Sequence, residues 1–391
     1  MSSHGVGLGP SKKGRTADSS MMTRNIKLVA QGQADATYAD TQKKNPFRLS
    51  SAILGGYQYN SASLARQNMN VARSSSALPA YGENWTLTSA PTNQYWYAVA
   101  MSSTGKFQTA LAYGGSIYRT DDFGVTWNLT IAPTNLLWYA VAMSSSGEFQ
   151  TAVAYGGGVG SAGRMYRSTD FGVRWNLISA PNLDWYDVAI SSSGQFQTAL
   201  AYGGGIYTSE DFGVTWNLTS APTNLDWYAV AMSSTGKFQT AVAYNTRGRM
   251  YRSDDFGVTW NLTIAPTNLL WYAVAMSSSG EFQTALGETT GGNSGSIYRS
   301  TNFGVTWNLI SAPTNLDWYA VAMSSTGQFQ TALTYGGVGR GGGIYRSTDF
   351  GVTWNLTSAP TNLDWYAVAI SSSGQFQTAL AYNGGIWVSS S

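Results

Sequence analysis

The stretch S-T-D-F-G-V-T-W-N-L at 347–356 decides the fold. It returns as S-T-D-F-G-V-R-W-N-L at 168–177, and near-copies begin at 120, 209, 253 and 300. A second marker sets the period: the tryptophan that opens W-Y-A-V-A-M-S-S and its variants. It stands at Trp96, Trp138, Trp185, Trp227, Trp271, Trp318 and Trp365, with spacings of 42, 47, 42, 44, 47 and 47. A repeat of about 45 residues is the length of one four-stranded propeller blade.

Each unit divides into four short runs rich in Val, Ile, Tyr, Trp and Thr, with no sustained helical period. Strand A is W-Y-A-V-A-M-S, followed by a turn of the S-S-T-G-K type with Gly where positive φ is needed. Strand B is F-Q-T-A-L-A-Y. A Gly-rich loop of variable length leads to strand C, G-I-Y-R-S, and the D-F-G turn leads to strand D, V-T-W-N-L-T-S. The link A-P-T-N-L-D returns to the next tryptophan. In the second unit Tyr139, Val141 and Met143 alternate with Ala140, Ala142 and Ser144, which predicts a bulky face stacked on the small face of the next sheet. Each copy then meets the same neighbour, so the unit can be repeated with little change.

The last unit stops at G-G-I-W-V-S-S-S without a strand D, while strand-D-like residues, E-N-W-T-L-T-S at 83–89, precede the first A strand. The excess and the deficit match. The expected architecture is all-β: a seven-bladed β-propeller over 83–391, its last blade closed by the strand at about 83–89, preceded by a non-repeating N-terminal arm over 1–82. Closure of this kind leaves fewer open sheet edges.

Composition agrees. Charged residues make up 11 %, with 44 Gly, 24 Tyr and 15 Trp, too many aromatics and too few ions for charge-driven disorder. There is no cysteine, which excludes disulfides and thiolate metal sites. No signal-peptide-like apolar run opens the chain and no window is long enough to span a membrane, so the expectation is cytoplasmic synthesis, with incorporation into a virion or an extracellular assembly open. Net charge is uneven: residues 1–80 hold 10 Lys/Arg against 3 Asp/Glu, net +7, and the remainder holds 12 against 17, net −5.

The recurring segment fits the pattern Ser/Thr-x-Asp-x-Gly-x-x-Trp, and on it the chain resembles the Asp-box, or BNR-repeat, propellers, a group that includes sialidases, sortilin-type receptors and photosystem assembly factors. The resemblance covers 83–391. It implies that Asp122, Asp170, Asp211, Asp255 and Asp349 cap the turn between the outer two strands of their blades, with Asn302 in the fifth box, where an Asx-type turn bond remains available. Trp127, Trp175, Trp216, Trp260, Trp307 and Trp354 are the box tryptophans, and Trp127 is expected to share a packed face with Val125 and Leu129. In such proteins the boxes serve folding. A calcium site is disfavoured, because one carboxylate per turn is too few for a hard cation.

No enzyme motif emerges. The sialidase arrangement needs an uneven set of arginines with a Tyr–Glu pair; here Arg119, Arg167, Arg252, Arg299 and Arg346 recur at one repeat position, and no unique acidic pair stands out. The one histidine, His4, lies in the arm, so no His-based triad or multi-His metal cluster can form. No cofactor and no metal are expected.

Binding is expected on the face that carries the B–C loops and D–A links, since variable loops on a rigid scaffold commonly carry recognition. Asp184, Asp226, Asp317 and Asp364 each precede the tryptophan of strand A, Leu137 and Leu270 replace the acid in two links, and Tyr95 in another. With Trp138, Trp185, Trp227, Trp271, Trp318 and Trp365 these acids form a candidate glycan-binding set, repeated for avidity; the plainer reading makes the tryptophans packing residues. The basic arm, with short strands expected at 25–30 and near 53–59 and a short helix across 61–73, reads as a dock for other protein subunits, with nucleic acid a weaker candidate. The leading expectation is a non-enzymatic structural or interaction protein, a propeller head held by its arm in a larger assembly such as a virion or surface layer. The alternatives are a multivalent lectin-like head and, more distantly, a glycoside hydrolase.

Overall fold

A computed structural model describes residues 80–156, 163–244, 248–289, 295–313, 316–336 and 342–390, together with the backbone of 28–29. The strand expected near 53–59 and the helix across 61–73 lie outside the described residues.

Seven sheets radiate from a central channel, each with four antiparallel strands from A on the inside to D on the outside, and in blade 1 Leu28–Val29 adds in parallel to the inner edge of strand A. Blade 1 runs Trp96–Met101, Gln108–Ala112, Ile117–Thr120 and Asn128–Leu129. Blade 7 takes its first three strands from Trp365–Ile370, Gln377–Ala381 and Gly385–Ser389, and its fourth from Thr86–Leu87 near the other end of the propeller. Thr86 pairs with Val388 and Leu87 with Trp387. The ring is therefore closed by the strand that the sequence leaves over.

Closure reaches further than that strand. Gly82, at φ +74°, sits against the Gln377 side chain, as the box glycine Gly351 sits against Gln330. The Trp85 indole N–H donates to the Gly82 carbonyl at 2.9 Å, as Trp127 does to Gly124 at 3.0 Å. Tyr81 meets Phe329 edge-on at 5.2 Å, where the box phenylalanines meet the preceding blade. So Tyr81-Gly82-Glu83-Asn84-Trp85 is the second half of a seventh box whose first half is at Ser389. The G-x-x-W spacing at 82–85 was the readable signal for it.

Successive blades are stitched by three sets of repeated contacts, each closing on itself. Thr109, Thr151, Thr198, Thr240, Thr284, Thr331 and Thr378 each donate from Oγ1 to the Oε1 of the glutamine in the next blade, at 2.6–2.7 Å. Each glutamine in turn donates from Nε2 to the Gly carbonyl of its own A–B turn, as Gln108 does to Gly105 at 2.9 Å. Backbone bonds join the A–B turns themselves, from Ser103 to Ser145 and onward to Ser372, which donates to Ser103 at 2.8 Å. Box phenylalanines complete the seam, Phe123 lying 4.6 Å from Phe376. The Thr and Gln side chains of the seams are buried, and buried polar groups are tolerated because every one of these has its partner.

Two expectations are corrected in detail. Trp127 is buried, but Val125 and Leu129 are 63 % and 61 % exposed, so the three do not share a packed face. Strand D is only Asn128–Leu129, and residues 125–127 still belong to the turn, where a period of two does not hold. Strand A does not alternate cleanly either. Each A strand carries a β-bulge at its tyrosine, as between Trp138 and Ala140, and both faces are buried between neighbouring blades.

Candidate functional site

The boxes lie on the face of the A–B turns. In blade 1 the Phe123 N–H donates to the Lys106 carbonyl, tying the box to that turn. Phe123 and Gly124 both take positive φ, +63° and +88°, and the Val125 N–H reaches back to the Asp122 carbonyl at 3.4 Å. Two consecutive positive φ values make a type I′ hairpin, whose twist matches the strands it joins. Asp122 then receives Thr120 Oγ1 at 2.6 Å, the Thr126 N–H at 2.9 Å and Thr126 Oγ1 at 2.6 Å. Asp211, Asp255 and Asp349 repeat this set. Burial opposes ionisation of these four carboxyls, but the Ser, Thr and backbone donors together outweigh it and hold them below the ordinary value of 3.8. Asp170 receives Ser168 and the Arg174 N–H, with the Arg174 guanidinium 3.7 Å away. Asn302 keeps the turn with its amide: Oδ1 accepts from Ser300 and the Thr306 N–H, and Nδ2 donates to Thr306 Oγ1 at 2.9 Å. Trp175, Trp216, Trp260, Trp307 and Trp354 are buried like Trp127, and each indole N–H donates to its box glycine.

On the opposite face the structure separates the candidate acids from the candidate tryptophans. Trp138, Trp185, Trp227, Trp271, Trp318 and Trp365 are at most 2 % exposed. Trp185, Trp227 and Trp365 donate to link carbonyls of Pro181, Pro222 and Pro360. No face of these rings is open to a sugar. Asp184, Asp226, Asp317 and Asp364 are half-buried, and their carbonyls accept the N–H of Tyr202, Tyr244, Tyr335 and Tyr382. Asp184 Oδ1 also accepts the Gly156 N–H at 3.2 Å, and burial raises the Asp226 carboxyl above its ordinary value.

The half-exposed rings of this face are tyrosines at the ends of the B strands, which sequence reasoning missed; they rest on strand-A tyrosines that are mostly buried like the tryptophans, Tyr97 and Tyr366 at 1 %. A bulge re-aims a side chain out of the strand's alternation, and here it falls at the same tyrosine in all seven blades. These rings form a collar. From Tyr97 the ring centroids pass to Tyr139 at 5.0 Å, Tyr186 at 4.9 Å, Tyr228 at 5.7 Å and Tyr272 at 5.9 Å. Tyr319 leads to Tyr366 at 5.3 Å, and Tyr366 back to Tyr97 at 5.8 Å. A second tier comes from the ends of the B strands: Tyr113, Tyr155, Tyr202, Tyr244, Tyr335 and Tyr382 each pack on the collar tyrosine of their own blade, at 4.8–5.8 Å. In blade 5 this tier holds Glu288, which accepts the Tyr272 hydroxyl at 2.6 Å. The hydroxyls of Tyr97 and Tyr228 are buried with no hydrogen-bond partner among the described residues. Burial pushes both phenols well above their ordinary pKa, reinforced by neighbouring tyrosines.

One more acid interrupts the repeat at the channel. Asp187 takes the place of alanine at that position of strand A in the other six blades and is 1 % exposed. Its carboxylate accepts the N–H of Val188 and, from the next blade, the N–H of Val230, both at 2.7 Å. The site is thus a channel mouth ringed by phenols, with two acids that depart from the repeat. Among the described residues no cluster of His, Cys, Asp and Glu could hold a metal ion.

The overall shape has many counterparts. It is a seven-bladed β-propeller. No family model and no curated relative matches the chain. Among solved structures, a GH74 xyloglucanase from Xanthomonas campestris aligns over 78 % of this chain and 53 % of its own, with a TM-score of 0.63 and 17 % identity. YCF48 from Cyanidioschyzon merolae aligns over 78 % of this chain and 98 % of its own, with a TM-score of 0.60 and 16 % identity. YCF48 bound to D1 peptide aligns with a TM-score of 0.61 and 14 % identity, over 78 % of this chain and 97 % of that one. This chain spans about half the length of the xyloglucanase it matches. At these identities the likeness is one of fold, and that fold carries enzymes and non-enzymes alike.

Proposed function

We propose that the protein is a non-catalytic interaction protein, a rigid propeller head held in a larger assembly, such as a virion or surface layer, by its basic N-terminal arm. One observation carries this reading: the repeated polar chemistry is used to hold the ring together. Box carboxylates bind their own turns, Thr and Gln pair across every seam, and Arg119 bonds the Phe171 carbonyl of the next blade at 3.1 Å while pairing with Asp121. What this leaves for recognition is the tyrosine-lined face and the arm. Sizing by light scattering of the full chain against a fragment lacking the arm tests the reading. A larger assembly that collapses when the arm is removed supports it; release of reducing ends from xyloglucan by the purified protein would overturn it.

A glycan-binding reading has one observation in its favour. Tyr95 is 50 % exposed and stacks on Tyr382 at 4.7 Å, an open aromatic platform beside the half-buried Asp364. Binding to a glycan array that is lost in Tyr95→Ala would favour it.

A further inference from the structure

The channel has features of a site built for a particular occupant. Its wall is formed by the inner edges of the A strands, whose residues, Val99, Ala100 and Val141 among them, are mostly apolar. Its mouth is a tyrosine collar in which the buried hydroxyls of Tyr97 and Tyr228 have no partner among the described residues. The acids that break the repeat there are Asp187 and Glu288. The Val230 N–H that Asp187 accepts belongs to the free edge of an innermost strand, so this carboxylate lies on the channel wall. A fitting occupant is extended, apolar and carries a positive charge at the level of the collar.

The chain contains such a segment. Arg24-Asn25-Ile26-Lys27-Leu28-Val29 lies in an arm of net charge +7, against −5 for the rest of the chain. Backbone pairing places part of it: Leu28 and Val29 pair in parallel with Val99 and Ala100 on the innermost strand of blade 1. We propose that residues 24–29 occupy the channel of their own propeller, reading its two unique acids through Arg24 and Lys27. The residue before Val99, the partner of Leu28, is Ala98, and its counterpart in blade 3 is Asp187. Parallel pairing also sets the direction. Strand A runs from the tyrosine face to the face of the boxes, so the segment enters at the collar and leaves among the A–B turns. Ala80, where the chain is next described, precedes Tyr81 and Gly82, which sit at the box face of blade 7. The intervening 50 residues are ample to span that face. Occupancy of this kind ties the arm to the head and leaves residues 30–79 for partners; it does not depend on what those partners are.

The absence of native cysteine makes the test direct. In the full-length chain, Leu28→Cys with Val99→Cys, treated with a short bismaleimide, should give an intramolecular 28–99 cross-link, identified by peptide mass spectrometry on monomer bands. The control pair Leu28→Cys with Leu129→Cys, on the outer rim, should give far less. Arg24→Glu with Lys27→Glu, placed in the first pair, should lower the yield severalfold. Because cysteine at 99 could disturb the wall, hydrogen exchange of the peptide covering 96–101 gives a second reading on variants that leave the propeller sequence intact. Leu28→Pro with Val29→Pro should speed its exchange by about tenfold or more. Equal cross-linking of the two pairs, cross-links only between chains, or unchanged exchange would each overturn the proposal.

Discussion

Thr378 in blade 7 donates its hydroxyl to Gln108 in blade 1 across 2.6 Å, although 270 residues separate them. The same bond joins Thr109 to Gln150 across 41 residues. The seam that closes the ring is chemically the same as those formed between consecutive blades. Thr378→Val removes the donor and leaves the Gln108 carbonyl oxygen buried without it, which should cost about 1–3 kcal/mol. Chemical denaturation checks this, and Thr240→Val should cost a similar amount at an internal seam. A closing seam that proved insensitive would mean that the ring opens there before it unfolds.

Trp85 should matter as much as a tryptophan of a complete box. It is 8 % exposed, as is Trp216, and makes the same bond to a glycine carbonyl. Trp85→Ala and Trp216→Ala are each expected to lose about 3–5 kcal/mol, measured by thermal or urea unfolding. A negligible loss at Trp85 would show that the half-box at 81–85 is an appendage.

Phe256 takes φ +64° and packs against Phe196 with ring centroids 4.6 Å apart. A left-handed conformation is costly for any residue with a Cβ and nearly free for glycine. Phe256→Ala loses the ring contact and keeps the strain; Phe256→Gly loses the same contact and relieves it. The glycine variant should therefore be the more stable of the two, by about 1 kcal/mol. The opposite order would show that the backbone strain inferred from φ is not felt.

The box carboxyls set an acid limit. Asp122, Asp211, Asp255 and Asp349 have folded pKa values lowered from 3.8. A depressed folded value stabilises the folded state above the unfolded pKa, and that contribution is lost as pH falls through the folded one. The melting temperature should owe nothing to these groups between pH 7 and pH 5 and should fall below about pH 4. Asn302→Asp should steepen that acid decline and raise stability slightly at pH 7, since Thr306 would then donate to a charged acceptor. An acid profile unchanged by this substitution would contradict the role given to the boxes.

Most of the architecture was legible in the chain itself. Period, blade count, strand order and the split last blade follow from repetition, because a copied unit that meets copies of itself has one way to close when the chain ahead of the first copy carries the strand that the last one lacks. The box turns were legible for the same reason: Asp, Gly and Trp act through bonds only a few residues away. Contacts between blades were not. Gln150 and Thr109 read as ordinary strand residues until neighbouring blades bring them together, and the box phenylalanine gives no sign of its positive φ, since its stabilising partner belongs to another repeat. The binding face shows the limit most plainly. Tryptophan and tyrosine stand side by side seven times in the sequence, and nothing local says where each ring is buried. A bulge in strand A decides it, sending the indole between the sheets and the phenol to the channel mouth. Asp187 and Glu288 acquire their meaning the same way: as two acids among many in the sequence, and on a shared channel only once seven separate strands have been drawn around one axis.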